Sequence, residues 1–151
     1  YPKKEINWVQ VSEAVKNGVA PEHLQFHTGA FVLNLAHGEQ SKSGNINEPI
    51  EIANGGTGFM LIKRKVFEDL ADKVPSYTND MYHAVDTVRQ VKIIKEFFAT
   101  SIDEESNRLL SEDYHFCKIA REAGFKVYAA PWASFGHTGT YTFSGQLPRS
   151  E

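Results

Sequence analysis

The chain has 151 residues, 41% hydrophobic and 23% charged, which is enough for one domain with a core and too few for two comfortable ones. A formal net charge of -3 argues against a nucleic-acid or anionic-membrane surface built on bulk positive charge. The one cysteine, Cys117, excludes an internal disulfide and a multi-cysteine zinc site, and no apolar run approaches the ~20 residues of a membrane helix.

Trp8 to Lys16 is predicted as a short helix, with Val9, Val11 and Val15 as an imperfect apolar side and Asn17-Gly18 at its end. Pro21 to His27 reads as a turn or a single helical turn. Ala30-Phe31-Val32-Leu33-Asn34-Leu35 is apolar and β-rich, the pattern of a buried strand. Gly38 to Asn47 is a polar loop, and Pro49 to Ala53 a second strand. Gly55-Gly56-Thr57-Gly58 leads into a strand from Phe59 to Ile62 and a helix from about Lys65 to Lys73. Val66, Phe67, Leu70 and Val74 give that helix one apolar face.

Ser76 to Gln90 is polar with Tyr77 and Tyr82, and reads as extended or loop-rich. Val91 to Ala99 is a strand carrying Phe97 and Phe98. A helix starts at Ser111-Glu112-Asp113 and closes at Gly124, where glycine suits a left-handed cap. Two short strands, Lys126 to Ala130 and Ala133 to Gly136, lead into His137-Thr138-Gly139-Thr140-Tyr141. This order predicts an α/β fold, a mixed sheet with flanking helices, in a single domain over residues 1–151. No signal-peptide pattern is visible, so the expected location is cytoplasmic.

The helix start is the most informative stretch. Ser111 suits the N-cap, because its hydroxyl can accept a hydrogen bond from an unpaired first-turn amide. Glu112 and Asp113 fall where the helix's partial positive charge favours ionised acids, by ~0.3–1 kcal/mol. The pair is explained by helix stability or by a carboxylate held rigidly for chemistry, and the residues alone leave both open. Glu112 and His115 have the Glu-x-x-His spacing of di-metal carboxylate bundles, but those need several long helices and this chain is strand-rich.

Gly55-Gly56-Thr57-Gly58 suits either a backbone that approaches a ligand closely or a tight turn with positive φ. It lacks the Gly-Lys-Ser/Thr ending of a P-loop and the dinucleotide fingerprint. His137, between Gly136 and Gly139, could bind a divalent metal through one ring nitrogen, with further ligands required. Trp8, Trp132, Tyr141 and Phe143 could stack on a sugar or base, or pack as ordinary aromatics. Cys117 reads as a small core residue.

In this order the pieces resemble the second half of a GT-A type nucleotide-sugar glycosyltransferase, of the family-2-like kind found in phages and large DNA viruses. The likeness runs from Gly55-Gly56-Thr57-Gly58-Phe59-Met60-Leu61-Ile62-Lys63-Arg64 through Phe97-Phe98 to Ser111-Glu112-Asp113. It continues over Ala123-Gly124-Phe125 and Val127-Tyr128-Ala129-Ala130-Pro131 to Gly136-His137, covering roughly residues 50–141. It implies the C-terminal portion of a GT-A, Rossmann-like fold. Asp113 would match the catalytic base that takes the acceptor hydroxyl's proton, with inversion at the sugar. Glu112 would orient the acceptor, and Gly55, Gly56, Thr57, Gly58 and Trp132 would bind substrate. His137 would match a ligand of the divalent manganese or magnesium that neutralises the departing diphosphate.

The implied partners are a nucleotide-diphosphate sugar donor and a glycan, protein or small-molecule hydroxyl acceptor, with no nucleic acid and no membrane span. The family's Asp-x-Asp metal motif is missing, since no two aspartates here are separated by one residue. The expectation is therefore the acceptor-side part of a longer enzyme, without transferase activity of its own. A non-catalytic carbohydrate-binding or structural module on the same scaffold is a second reading. A metal-dependent hydrolase using Glu112, His115 and His137 is a third, and it requires at least three protein ligands to one metal.

Overall fold

The computed structural model describes residues 3, 5–29, 31, 33–36, 47–79, 92–139, 142 and 143. Outside them lie Ala30 and Val32 of the predicted first strand, nearly all of the predicted 38–47 loop, residues 80–91 with Tyr82 and Val91, and Tyr141. The chain divides into two compact units, residues 1–59 with 127–151, and residues 60–126. The described architecture is mixed α and β, and every strand pairing in it is antiparallel.

In the first unit, helix α1 (Trp8–Lys16) starts at Asn7, whose side chain accepts from the Gln10 amide at 3.1 Å. It ends at Asn17, with Gly18 at φ +76°. There the Gly18 N–H donates to the Val15 carbonyl and the Val19 N–H to the Ala14 carbonyl, both at 3.0 Å, a Schellman closure. The inward side is Asn7, Gln10, Val11 and buried Ala14, at helical spacing. Val9 and Val15 face out, so the predicted apolar side is rotated from the real one. A small alanine, Ala14, beside the 3-10 turn Pro21–His27, marks the packed face that the valines do not.

The sheet of this unit has β2 (Ile50–Asn54) between β1 (Asn34–Leu35) and β7 (Val127–Ala129). Ile52 pairs with Leu35 on one side and Val127 on the other, which buries it. Among the described residues of the strand predicted over 30–35, Asn34 and Leu35 are paired, both half-exposed, and residues 31 and 33 are not. The strand predicted at Ala133–Gly136 is absent. The pairing lies just beyond it, where β8 (His137–Thr138) meets β9 (Thr142–Phe143).

In the second unit, helix α2 (Arg64–Leu70) packs on helix α3 (Glu112–Glu122) through Val66, Leu70, Phe116 and Ala120. Met60, Ile62, Phe67, Phe97, Ile119, Ala123 and Phe125 surround that cluster. The strand predicted at 59–62 does not form. Met60 and Ile62 turn into the core while Leu61 is 97% exposed, the two-residue period of a strand without a ladder partner among the described residues. Within the 76–99 region β3 (Ser76–Asn79) pairs antiparallel with β4 (Lys92–Lys95), the latter ending earlier than predicted. A second hairpin, β5 (Ser101–Ile102) with β6 (Leu109–Leu110), was not predicted and runs directly into α3.

Candidate functional site

The predicted site residues fall in both units: Glu112 and Asp113 in residues 60–126, and Gly55, Gly56, Thr57, Gly58, Trp132 and His137 in the other. Each group has its own geometry.

Around Asp113 the sequence logic is clear. The β5–β6 hairpin delivers the chain to Ser111, whose extended backbone (φ -64°, ψ 167°) is that of an N-cap. The expected cap bond is not made. The Ser111 hydroxyl instead donates to Asp113 Oδ1, which also accepts the Tyr114 amide at 2.8 Å. The charged Asp113 carboxylate is a strong acceptor for the serine proton, and in this rotamer the hydroxyl oxygen takes no first-turn amide. The carboxylate is half-buried and held at the positive end of α3, while neighbouring Glu112 is exposed. At the far end, Gly124 has the predicted left-handed backbone, φ +89°. Its N–H donates to the Arg121 carbonyl at 2.9 Å and the Phe125 N–H to the Ala120 carbonyl at 3.0 Å, a second Schellman closure.

Two groups that the sequence reading passed over brace this helix. Ser101 of β5 sits 2.8 Å from His115 Nδ1, and its backbone pairs with Leu110, so it clamps the chain on both sides of Ser111. Asp103 Oδ2 accepts the Ser106 amide at 3.0 Å and the Ser106 hydroxyl at 2.5 Å, and Lys118 of α3 lies 3.5 Å from its other oxygen. The Ser106 bonds, aided by Lys118, hold the Asp103 carboxyl below its ordinary range. Lys118 also bonds Glu122, the main cause of its raised pKa, with Asp103 adding to it. The signal for this turn was present in Asp103, Ser106 and Asn107, the last at φ +53°, where asparagine is among the tolerated residues.

In the first unit, Gly55 and Gly56 follow β2, and Thr57–Phe59 form a 3-10 turn. Positive φ occurs at Gly18 and Gly124 among the described glycines and not at residues 55–58. Of the two readings of this run, the tight turn with positive φ is therefore not the one formed. Trp132 is 51% exposed in a turn closed by the Ala133 N–H to the Ala130 carbonyl at 3.0 Å. His137 opens β8, half-buried, opposite Phe143.

No group of three or more His, Cys, Asp or Glu that could hold a metal ion occurs among the described residues. Glu112 and His115 lie in one unit and His137 in the other. No helix among the described residues is long and apolar enough to cross a membrane. Comparison with protein-family models, curated proteins and solved structures finds no match to the chain.

Proposed function

We propose that this chain is the acceptor-side, catalytic-base part of a GT-A type glycosyltransferase, moving a sugar from a nucleotide-diphosphate donor to a hydroxyl with inversion. One observation carries the reading: the Asp113 carboxylate is fixed on a rigid helix start by two donors that both meet Oδ1. Oδ2 then takes the acceptor proton as the acceptor oxygen attacks the anomeric carbon and the carbon–oxygen bond to the diphosphate breaks. The acceptor proton leaves late in such a displacement, so a strongly basic group is not required. The ordered likeness from Gly55 to His137 supports the same reading, as do glycines at 55–58 that no left-handed turn requires.

The test is a transfer assay on the protein that carries this chain, with a panel of nucleotide-sugar donors and release of nucleoside diphosphate as the signal. Asp113→Asn keeps the size and loses the base, and turnover falls about 10²- to 10⁴-fold with donor binding retained. Turnover that survives Asp113→Asn overturns the assignment. Sugar binding without transfer, indifferent to that substitution, returns the protein to the carbohydrate-binding reading.

A further inference from the structure

We infer that Asn17-Gly18, in the closing turn of α1, is a site of spontaneous conversion to isoaspartate, gated by fraying of that turn. The inference is independent of the glycosyltransfer reading. The chain holds two Asn-Gly pairs, this one and Asn54-Gly55. Asparagine amides are among the thermolabile groups of proteins, and a glycine that follows has no Cβ to hinder attack by its nitrogen. The Gly18 nitrogen, once its proton passes to a base in the solvent, attacks the Asn17 Cγ. The bond from Cγ to the side-chain nitrogen breaks, and that nitrogen takes a proton from water and leaves as ammonia. Water then opens the cyclic imide. Cleavage between the Gly18 nitrogen and Cγ gives aspartate, and cleavage between that nitrogen and the main-chain carbonyl carbon gives isoaspartate.

In the closed turn neither requirement of ring formation is met. The Gly18 N–H is bonded to the Val15 carbonyl at 3.0 Å. Asn17 has ψ 6°, which nearly eclipses the Gly18 nitrogen with Asn17's own nitrogen, whereas the ring needs it beside Cβ. Both restraints lapse together when the last turn of α1 opens, and helix ends open at little cost in free energy. Asn17 and Gly18 are exposed, and a Cβ built on Gly18 would stand in open space, so the opened turn has water and room. Asn54 is placed differently. It is half-buried in β2, the central strand of its sheet, and paired with Asn34. Freeing it means unpairing a sheet rather than fraying an end. Conversion at residue 17 then acts back on the helix: it puts a carboxylate at the negative end of the α1 dipole, and isoaspartate adds a methylene to the main chain inside the Schellman closure.

The test is ageing of the folded protein in mildly alkaline buffer, then digestion by a glutamate-specific protease, methylation of the peptides by an isoaspartyl methyltransferase, and mass spectrometry. Cleavage after Glu13, Glu22, Glu51 and Glu68 puts the two asparagines on separate peptides, each away from the peptide ends. Asn17 gives about three- to tenfold more isoaspartate than Asn54 in the folded protein, and the ratio falls to about one when the same ageing is done in urea. Asn17→Gln removes the signal from its peptide and leaves that of Asn54 unchanged. No isoaspartate at residue 17, or conversion at Asn54 that equals it in the folded protein, overturns the site. A ratio that persists in urea assigns the difference to flanking sequence and overturns the gating.

Discussion

Phe116→Ala tests what holds the helix that carries Asp113. The Phe116 ring is 3% exposed, stacked on Phe98 at 4.6 Å and 23°, and 5.6 Å from Phe67. Truncating such a ring costs about 3–5 kcal/mol, of which each aromatic pair supplies ~0.5–1.5 kcal/mol. A unit the length of residues 60–126, at ~0.05–0.15 kcal/mol per residue, has roughly 3–10 kcal/mol in total. The substitution therefore removes about 30% of that stability at the upper end and, at the lower end, all of it. Phe116→Leu keeps apolar bulk and forfeits the two ring pairs, for a loss of about 1–3 kcal/mol.

Both tryptophans, Trp8 and Trp132, lie outside residues 60–126, so their emission reports the wrong unit. Urea unfolding followed by far-ultraviolet circular dichroism, with amide exchange of residues 114–122, reads the right one. Leu109→Ala is the control: it is 72% exposed and changes stability by no more than about 0.5 kcal/mol. A Phe116→Ala protein within ~1 kcal/mol of wild type would refute the claim that this aromatic stack holds α3.

Gly124→Ala places a Cβ in open space at φ +89°, so its cost is backbone alone. That is ~1–2 kcal/mol, less ~0.4–1 kcal/mol of lost unfolded-chain freedom, or about 1 kcal/mol net. Gly124→Asn costs less, and a urea midpoint raised by Gly124→Ala contradicts the account. Asp103 titrates below its ordinary range because of the Ser106 bonds, so its folded carboxyl is depressed relative to the unfolded chain. Its contribution is complete above the unfolded value near ~3.9 and is lost as pH falls through the lower folded one. The Ser106 amide shift follows that loss, and Ser106→Ala moves the carboxyl's titration to higher pH; no movement rejects the assigned cause.

The parts of the fold legible in the sequence are those where local chemistry and packing agree. Both longer helices end where glycine follows, because each closure requires a left-handed residue that glycine adopts without strain. The apolar face of α2 was legible because Val66 and Leu70 repeat at helical spacing. The failures share a cause as well. Phe59 to Ile62 has strand-like composition, but a strand needs a partner, and pairing is a long-range property that composition does not record. The β5–β6 hairpin was missed for the opposite reason: two residues per strand leave no alternation to detect, and the turn chemistry of Asp103, Ser106 and Asn107 carries it. At the candidate site, the residue types were legible and their wiring was not. Ser111 has the identity of a cap, yet its hydroxyl bonds the Asp113 carboxylate and no first-turn amide.

That diversion bears on what the helix start can do. A carboxylate in a first turn is favoured as an anion, which steadies the helix and opposes proton uptake. A general base has to accept a proton and be fixed in place. In α3 the two demands fall on different oxygens. Oδ1 carries the Ser111 hydroxyl and the Tyr114 amide, which fix the carboxyl plane and tie it to the helix backbone. On the proposed reading Oδ2 is the atom that would meet a substrate proton, in a side chain half withdrawn from water. The Ser101–His115 contact and the Ser101–Leu110 pairing then fix the turn to its hairpin from both sides. The Ser111 hydroxyl, which makes no cap bond to a first-turn amide, thus orients the Asp113 carboxylate on the helix start.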